Sequence, residues 1–459
     1  MSMVGPIIAL LFVIVVAWLL IKKYYPHAVL LIAGLLMLVT AYFVNGHEPI
    51  LDKSTGSFWL DLFRAIKESF SKSNAGVGLM IMAIGGFVAF IDKIGASEAL
   101  VKLAVRPLGL LKKSPHIAAA AVIPISQILF VAIPSAAGLG LLLMASVFPI
   151  LLNLGVSRLS AVSVITAATA MGMGPASAIT ARAAGIVDIP VIVYFVEYQI
   201  PLFIPLSIVI TVAYYFVNRY FDKKEGASSN DEEVVVKDDL EEDEKKAPSI
   251  YAIIPVLPII LLIVFSELNG FLSSKITLDT TTAMFVSLFI AIIFEWLRWR
   301  KLKRVFDSLK IFWNGMGNIF KTVVTLIITA DIFAQGLISL GFIEGLVYLS
   351  QNVGLEALGV GIVMTVLIFL ASMLMGSGNA SFFAFAPLTP GIAANFGVKS
   401  AYMILPMNFA ASMGRTVSPV AGVLIATAEI AGVSTLQIVK RNLIPLITVL
   451  VVMLIYHFA

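Results

Sequence analysis

The chain has 459 residues, of which 60% are hydrophobic and only 13% charged, with a mean hydropathy of +1.01. Soluble domains carry about 25% charged residues, so the composition excludes a soluble globular protein and indicates one that crosses a membrane many times. The net charge of +4 averages membrane segments, loops and a charged linker and singles out no partner, while the absence of cysteine excludes disulfides and thiol chemistry.

A membrane span needs about 20 apolar residues. Residues 4–20 qualify, and because Lys22 and Lys23 follow them, the positive-inside rule makes them a retained helix with its N-terminus outside. Residues 28–44 span next. Residues 58–72 carry Phe58, Trp59, Leu62, Phe63, Ile66 and Phe70 at helical spacing and are expected along the interface. Residues 76–91 span again, ending at an interfacial Asp92. Residues 93–113 hold Lys93, Lys102, Arg106, Lys112 and Lys113 and are expected in the cytoplasm. The apolar run 117–152, broken at Pro124, Pro134 and Gly138-Leu-Gly140, predicts a re-entrant hairpin with its tip near Ser135. Residues 161–175 then cross outward with breaks at Gly172 and Gly174, and 191–217 return. Residues 218–249 hold 11 of the 27 acidic residues, interleaved with lysines, as in a solvated connector.

The second half repeats the plan. Spans are expected at 253–265 and 283–296. The Trp296-Leu-Arg298-Trp-Arg300-Lys301-Leu-Lys303-Arg304 cluster marks the cytoplasmic membrane interface and is not a nucleic-acid patch. An amphipathic stretch to about Phe320, a span at 323–340, a second broken stretch at 359–394, a crossing at 401–415 and a last span at 443–456 complete it, the last preceded by Lys440-Arg441. Residues 87–98 match 333–344. At an offset of 242, Ser135 matches Ser377, Asn153-Leu-Gly155 matches Asn395-Phe-Gly397 and Met171-Gly172 matches Met413-Gly414, while Ile200-Pro201 pairs with Ile444-Pro445. The loop after the third span is basic in the first half, but 341–354 has no Lys or Arg, so equivalent loops lie on opposite sides. The expected architecture is an all-α polytopic membrane protein. It has two inverted repeats (1–218 and 250–459) of about five transmembrane helices plus a re-entrant hairpin each, joined by a cytoplasmic linker at 219–249. Inverted repeats with broken helices mark a secondary transporter that binds its substrate between halves.

Each half offers a hairpin tip and an unwound crossing. Ser135, Ala136 and Ala137 form one tip, and Ser377, Gly378 and Asn379 the other; helix N-termini and small donors there suit a carboxylate, or else tight helix packing. The first crossing carries Thr169, Gly172 and Ser177. The second carries Asn408, Gly414, Arg415, Thr416 and Ser418, with Gly414 and Pro419 expected to break the helix around the cation. A lone arginine in a membrane segment costs a few kcal/mol and needs a partner, so Arg415 suits a bidentate carboxylate clamp; the alternative is an arginine snorkelling to the cytoplasmic face. Arg182 reads as a loop residue, although a dicarboxylate would benefit from two cations. Asp331 and Glu197 sit inside spans and are candidate proton or cation carriers, or partners of a nearby Lys or Tyr. The four histidines lie at segment ends and no span contains His or Cys, which argues against a metal site, a cofactor or an enzyme.

The Ser377-Gly-Asn379-Ala hairpin, Gly414-Arg415-Thr416-Val-Ser418-Pro419, Ser135-Ala-Ala-Gly138-Leu-Gly140 and Gly95-Ala-Ser resemble the C-type anaerobic C4-dicarboxylate carriers (DcuC-like) over essentially the whole chain. That resemblance implies a multi-pass carrier in a bacterial inner membrane for succinate, fumarate, malate or aspartate, working by succinate efflux or fumarate exchange. The wider ion-transporter superfamily implies scaffold and transport domains, a homodimer and elevator motion. Relatives with Ser-Asn-Thr tips use sodium. The tips here are Ser-Ala-Ala and Ser-Gly-Asn, which leaves the coupling ion, Na+ or H+, open. The alternative substrate is another organic anion, such as gluconate or a short-chain carboxylate. Both termini are expected in the periplasm, with membrane lipid the only other partner.

Overall fold

Apolar runs punctuated by proline and glycine dictate helices joined by short turns, and all regular structure in the computed structural model is helical among the described residues. These are 4–44, 51, 53–111, 114–225, 247–266, 278–352 and 357–458. Most of the charged linker, 226–246, lies outside them, as do Lys112 and Lys113. The first half comprises α1 (Val4–Ile21), α2 (Pro26–Val44), α3 (Phe58–Lys93), α4 (Ala96–Val105), α5 (Pro115–Ala132), α6 (Ala136–Asn153), α7 (Arg158–Ala167), α8 (Ala178–Val187) and α9 (Val191–Glu225). The second comprises α10 (Ser249–Val264), α11 (Thr280–Trp299), α12 (Leu302–Ser339), α13 (Phe342–Asn352), α14 (Ala357–Met375), α15 (Gly378–Phe385), α16 (Thr389–Asn395), α17 (Ser400–Thr416), α18 (Gly422–Ala431) and α19 (Thr435–Phe458). Ten of these helices are long and apolar enough to cross a membrane.

The element order of the first half recurs in the second, down to local irregularities. α3 and α12 each carry a π turn, at Asn74–Gly78 and Phe320–Val324. At 1.5 Å per residue, a straight helix of their length would overrun a hydrocarbon layer about 30 Å thick. Gly76 leaves helical geometry (φ −103°, ψ −113°), so α3 bends there. The amphipathic stretch is thus the first arm of a bent helix and not a separate element. Trp59 and Phe63 on it are exposed, while Leu62 and Ala65 are buried. Gly95 and Gly341 hold φ of 78° and 76° at the turns into α4 and α13. Such values favour glycine, which is why both turns read Ile/Leu-Gly in the sequence.

Packing interleaves the halves. α2 lies along the second arm of α12, α3 along α11 and α12, α1 against α13, and α10 against α4. Backbones approach closely where side chains vanish: a Cβ on Gly34 would meet the Phe333 amide nitrogen at 2.7 Å. Small residues drive such contacts in membranes, where water supplies no hydrophobic force between helices. Leu10, Leu11, Ile14 and Trp18 of α1 point outward, as a lipid-facing surface requires.

Several expected boundaries shift. The segments 93–113 and 341–354, expected as loops, contain the short helices α4 and α13. Pro124 stays inside α5, and the first hairpin breaks only at residues 133–135. α9 continues to Glu225, past the expected start of the linker, because Asn218, Phe221 and Asp222 are buried. α10 opens with a tight 3-10 turn over Ser249–Val256.

Candidate functional site

The two crossings end differently. α7 stops at Ala167, and 168–177 run without helical structure to α8. Gly172, Gly174 and Pro175 explain this, since proline disfavours helical geometry in the residue before it and Gly174 adopts φ 96°. In the second half the helix does not break at Gly414, contrary to the sequence expectation. α17 runs through Gly414 and Arg415 to Thr416, and only 417–421, around Pro419, are unwound. One glycine costs a helix only about 1 kcal/mol, and here it serves packing: a Cβ at Gly414 would lie 2.2 Å from the Phe369 carbonyl oxygen of α14. Gly414→Ala is therefore expected to lower stability by about 1–3 kcal/mol through overpacking, read as a lower thermal midpoint in detergent.

Both hairpin tips are serine N-caps. Ser135 Oγ accepts from Gly138 N at 3.1 Å and Ser377 Oγ from Ala380 N at 3.3 Å. Their surroundings differ. The second tip packs on α17, where a Cβ on Gly378 would lie 2.7 Å from the Ala411 carbonyl oxygen, and Ser381 Oγ meets Ser372 Oγ of α14. Asn379 is half-buried and makes no side-chain hydrogen bond among the described residues. At the first tip Ser135 and Ala136 are half-buried and Ala137 is exposed. Gly138 there borders a cavity of about 360 Å³ with Asp92, Ser97, Glu98, Leu141 and Leu142. The Arg415 hydrogen bond goes to Thr169 and not to this tip.

Around the crossings the predicted residues converge. Arg415 Nη2 donates to the Thr169 carbonyl at 2.6 Å. Gly172 lies so near Ser412 that a Cβ would stand 2.4 Å from its Oγ. Asn408 Nδ2 donates to the Gly172 carbonyl at 2.9 Å. Thr416 Oγ1 donates to the Ser412 carbonyl, Ser418 Oγ accepts from Val420 N, and Ser177 is buried just before α8. Sequence reasoning missed Gln199, Asn442, Thr180 and Ser412. Gln199 Nε2 donates to Asn408 Oδ1 at 2.8 Å and to Thr180 Oγ1 at 3.0 Å, and its Oε1 accepts from Gly174 N at 3.0 Å. Asn442 Nδ2 donates to Thr166 Oγ1 and to the Thr416 carbonyl, both at 3.0 Å. The signal was at hand, because both amides stand within two residues of the repeated Ile-Pro-Leu.

Arg182, Arg415 and Arg441 reach across the halves, and their partners separate them. Arg182 is not a loop residue. It sits on α8 and pairs with Asp331 of α12, which Ser73 Oγ also approaches at 3.4 Å. Glu197 is exposed on the outside of α9. Arg441 is 1% exposed and holds Asp222 and Glu225 at 2.6 Å each, together with Ser160 Oγ at 2.7 Å. It is thus a buried ion-pair centre as well as a positive marker. Arg415 has no carboxylate partner among the described residues, and its buried Nε makes no hydrogen bond. Ser412 Oγ beside it is also buried without a partner. A buried guanidinium bonded to one carbonyl keeps donors with which it can hold an anion.

Residues 4–459 match the family described as C4-dicarboxylate anaerobic carrier, DcuC. The chain belongs to the DcuC family. Among its relatives, a probable anaerobic C4-dicarboxylate transporter DcuC of Vibrio cholerae is 36% identical over 457 residues, covering 99% of this chain and 97% of that one. The anaerobic C4-dicarboxylate transporter DcuC of Escherichia coli K12 is 34% identical over 451 residues, covering 98% and 95%. Two solved structures share the fold at low identity. The YdaH transporter of Alcanivorax borkumensis has a TM-score of 0.61 at 14% identity, covering 94% of this chain and 98% of that one. MtrF of Neisseria gonorrhoeae has 0.58 at 13%, covering 94% and 95%. This DcuC-family chain is a multi-pass membrane transporter and not an enzyme.

Proposed function

We propose that the chain is a secondary active carrier of C4-dicarboxylates such as succinate, fumarate and malate, operating by succinate efflux or fumarate/succinate exchange through alternating access. The names of its relatives support the substrate class. The observation that carries the reading onto residues is Arg415, which, unlike Arg182 and Arg441, has no carboxylate among the described residues. A substrate carboxylate takes the place that Asp331 takes for Arg182. Ser412 Oγ and the backbone of 168–177 complete the donor and acceptor set, and Ser377, Gly378 and Asn379 approach the same helix from the second tip.

The architecture we infer is two inverted repeats, with α5–α6 and α14–α16 as re-entrant hairpins and the crossings α7–α8 and α17–α18 between them. The recurrence of π turns, capped tips and broken crossings in one order supports it. The protein sits in a bacterial inner membrane with the linker inside and both termini outside, works as a homodimer, and moves in elevator fashion. Asp331, held by Arg182, is the group whose neutralisation by a proton would couple transport to pH; Na+ is the competing coupling ion.

Counterflow of labelled succinate in proteoliposomes tests the substrate. Saturable uptake competed by fumarate and malate but not by gluconate or acetate is the expected result. Competition by a monocarboxylate at equal concentration would move the substrate to another organic anion.

A further inference from the structure

Gln199 and Asn442 are two buried amides, one in each half and one position off exact repeat equivalence, that the binding reading does not use. Each stands where the helix after a crossing begins its apolar run, Gln199 directly before Ile200-Pro201 and Asn442 two residues before Ile444-Pro445. Each bonds within its own half and across to the other. Gln199 Oε1 takes the Gly174 amide of its own unwound segment, and its Nε2 reaches Asn408 on the opposite crossing helix. Asn442 Nδ2 takes the carbonyl of Thr416 at the end of its own crossing helix, and also reaches Thr166 on the opposite one. The two far partners are themselves equivalent, Thr166 and Asn408 lying 242 positions apart, the offset that relates the tips. Asn408 closes the ring onto the Gly172 carbonyl. Gln199, Asn442, Thr166 and Asn408 are all 0% exposed.

We propose that Gln199 and Asn442 are positioning residues that brace the two broken crossings into a single body, so that the bound substrate travels with both crossings together. Parting the crossings would strand the Gln199 carboxamide, Asn442 Nδ2 and their partners in a water-free interior, where an unmatched polar group is penalised. Asn442 Oδ1 has no hydrogen bond among the described residues in either case. Displacing them together breaks none of these bonds. The role in transport rests on the dicarboxylate reading above, whereas the brace itself is testable without substrate.

The experiment is hydrogen exchange on the substrate-free full chain, wild type against Gln199→Leu and Asn442→Leu, which keep similar volume and remove the bonds. Gln199→Asn, which keeps an uncharged carboxamide on a shorter stem, serves as the milder variant should the leucine fail to fold. Each single substitution is expected to speed exchange about tenfold in both unwound segments, 168–177 and 417–421. Acceleration confined to the substituted half, or none in either, would overturn the brace. A second readout is the KM for succinate in counterflow, expected to rise at least fivefold in Gln199→Leu and less in Gln199→Asn, together with a lowered thermal midpoint. An unchanged KM with a lowered midpoint would make the residue merely structural. Absence of counterflow in the wild type would sink the substrate reading and leave the exchange result standing.

Discussion

Arg415→Ala is expected to cut succinate counterflow by on the order of a hundredfold while leaving the thermal midpoint of the empty carrier unchanged or slightly raised. The two halves of that expectation have different causes. Losing one partner of a desolvated, charge-assisted pair costs about 2–5 kcal/mol, and each 1.4 kcal/mol is about tenfold in affinity. Arg415, however, bonds the Thr169 carbonyl and no carboxylate among the described residues, so removing it strands no buried counter-charge. Arg415→Lys should recover little, because an ammonium cannot hold the Thr169 carbonyl and a carboxylate in the planar fork of a guanidinium. Counterflow and a thermal shift on the same preparations check both halves. A midpoint that falls with activity would make Arg415 a structural residue.

Arg441→Ala is expected to act in the opposite sense, unfolding the protein without touching the proposed site. Arg441 neutralises Asp222 and Glu225 where α19, α9 and α7 meet. Asp222 further accepts from Ser157 and Ser160 at 2.7 Å each, with His116 at 3.2 Å. Deleting the guanidinium leaves a carboxylate that is 9% exposed without its charge partner, and breaking a buried pair costs about 3–5 kcal/mol. That is a large share of the roughly 5–15 kcal/mol that stabilises a typical domain. The expected result is a sharp loss of folded protein, measured by yield and thermal midpoint in detergent. Asp222→Asn in the same chain should restore part of it, since the stranded charge is then gone. Equal loss in the single and double variants would show that packing, not charge, is at stake.

These two arginines also show what could be read from the chain alone. Arg415 follows the repeated Met-Gly and Arg441 precedes the repeated Ile-Pro, and both were legible as cations at or near a membrane segment. Which of them already has a carboxylate depends on helices more than 200 residues away, and no local pattern encodes that. Breaks near Ser135 and Ser377 were legible because small residues follow proline or glycine there, whereas the serine caps themselves appear only in the structure. Gly414 misled because glycine permits a break and permits close packing equally, and the Phe369 carbonyl of α14 decides between them. Arg182 looked like a loop cation because ten helical residues between Ser177 and Asp188 are too short to register as a span. Gln199 and Asn442 were missed since single amides beside apolar runs carry no periodicity. Their repeated setting next to Ile-Pro-Leu was visible, and it becomes informative only once the repeat is taken as a guide to paired side chains.

The most direct measurement is a structure of the full chain with succinate bound in a lipid nanodisc. The expected density places one carboxylate within hydrogen-bond distance of Arg415 Nε, between the 168–177 segment and Ser412, with the second tip closing over it. Succinate found elsewhere, with Arg415 still bonded only to the Thr169 carbonyl, would contradict the assignment of Arg415 as the waiting partner of the substrate.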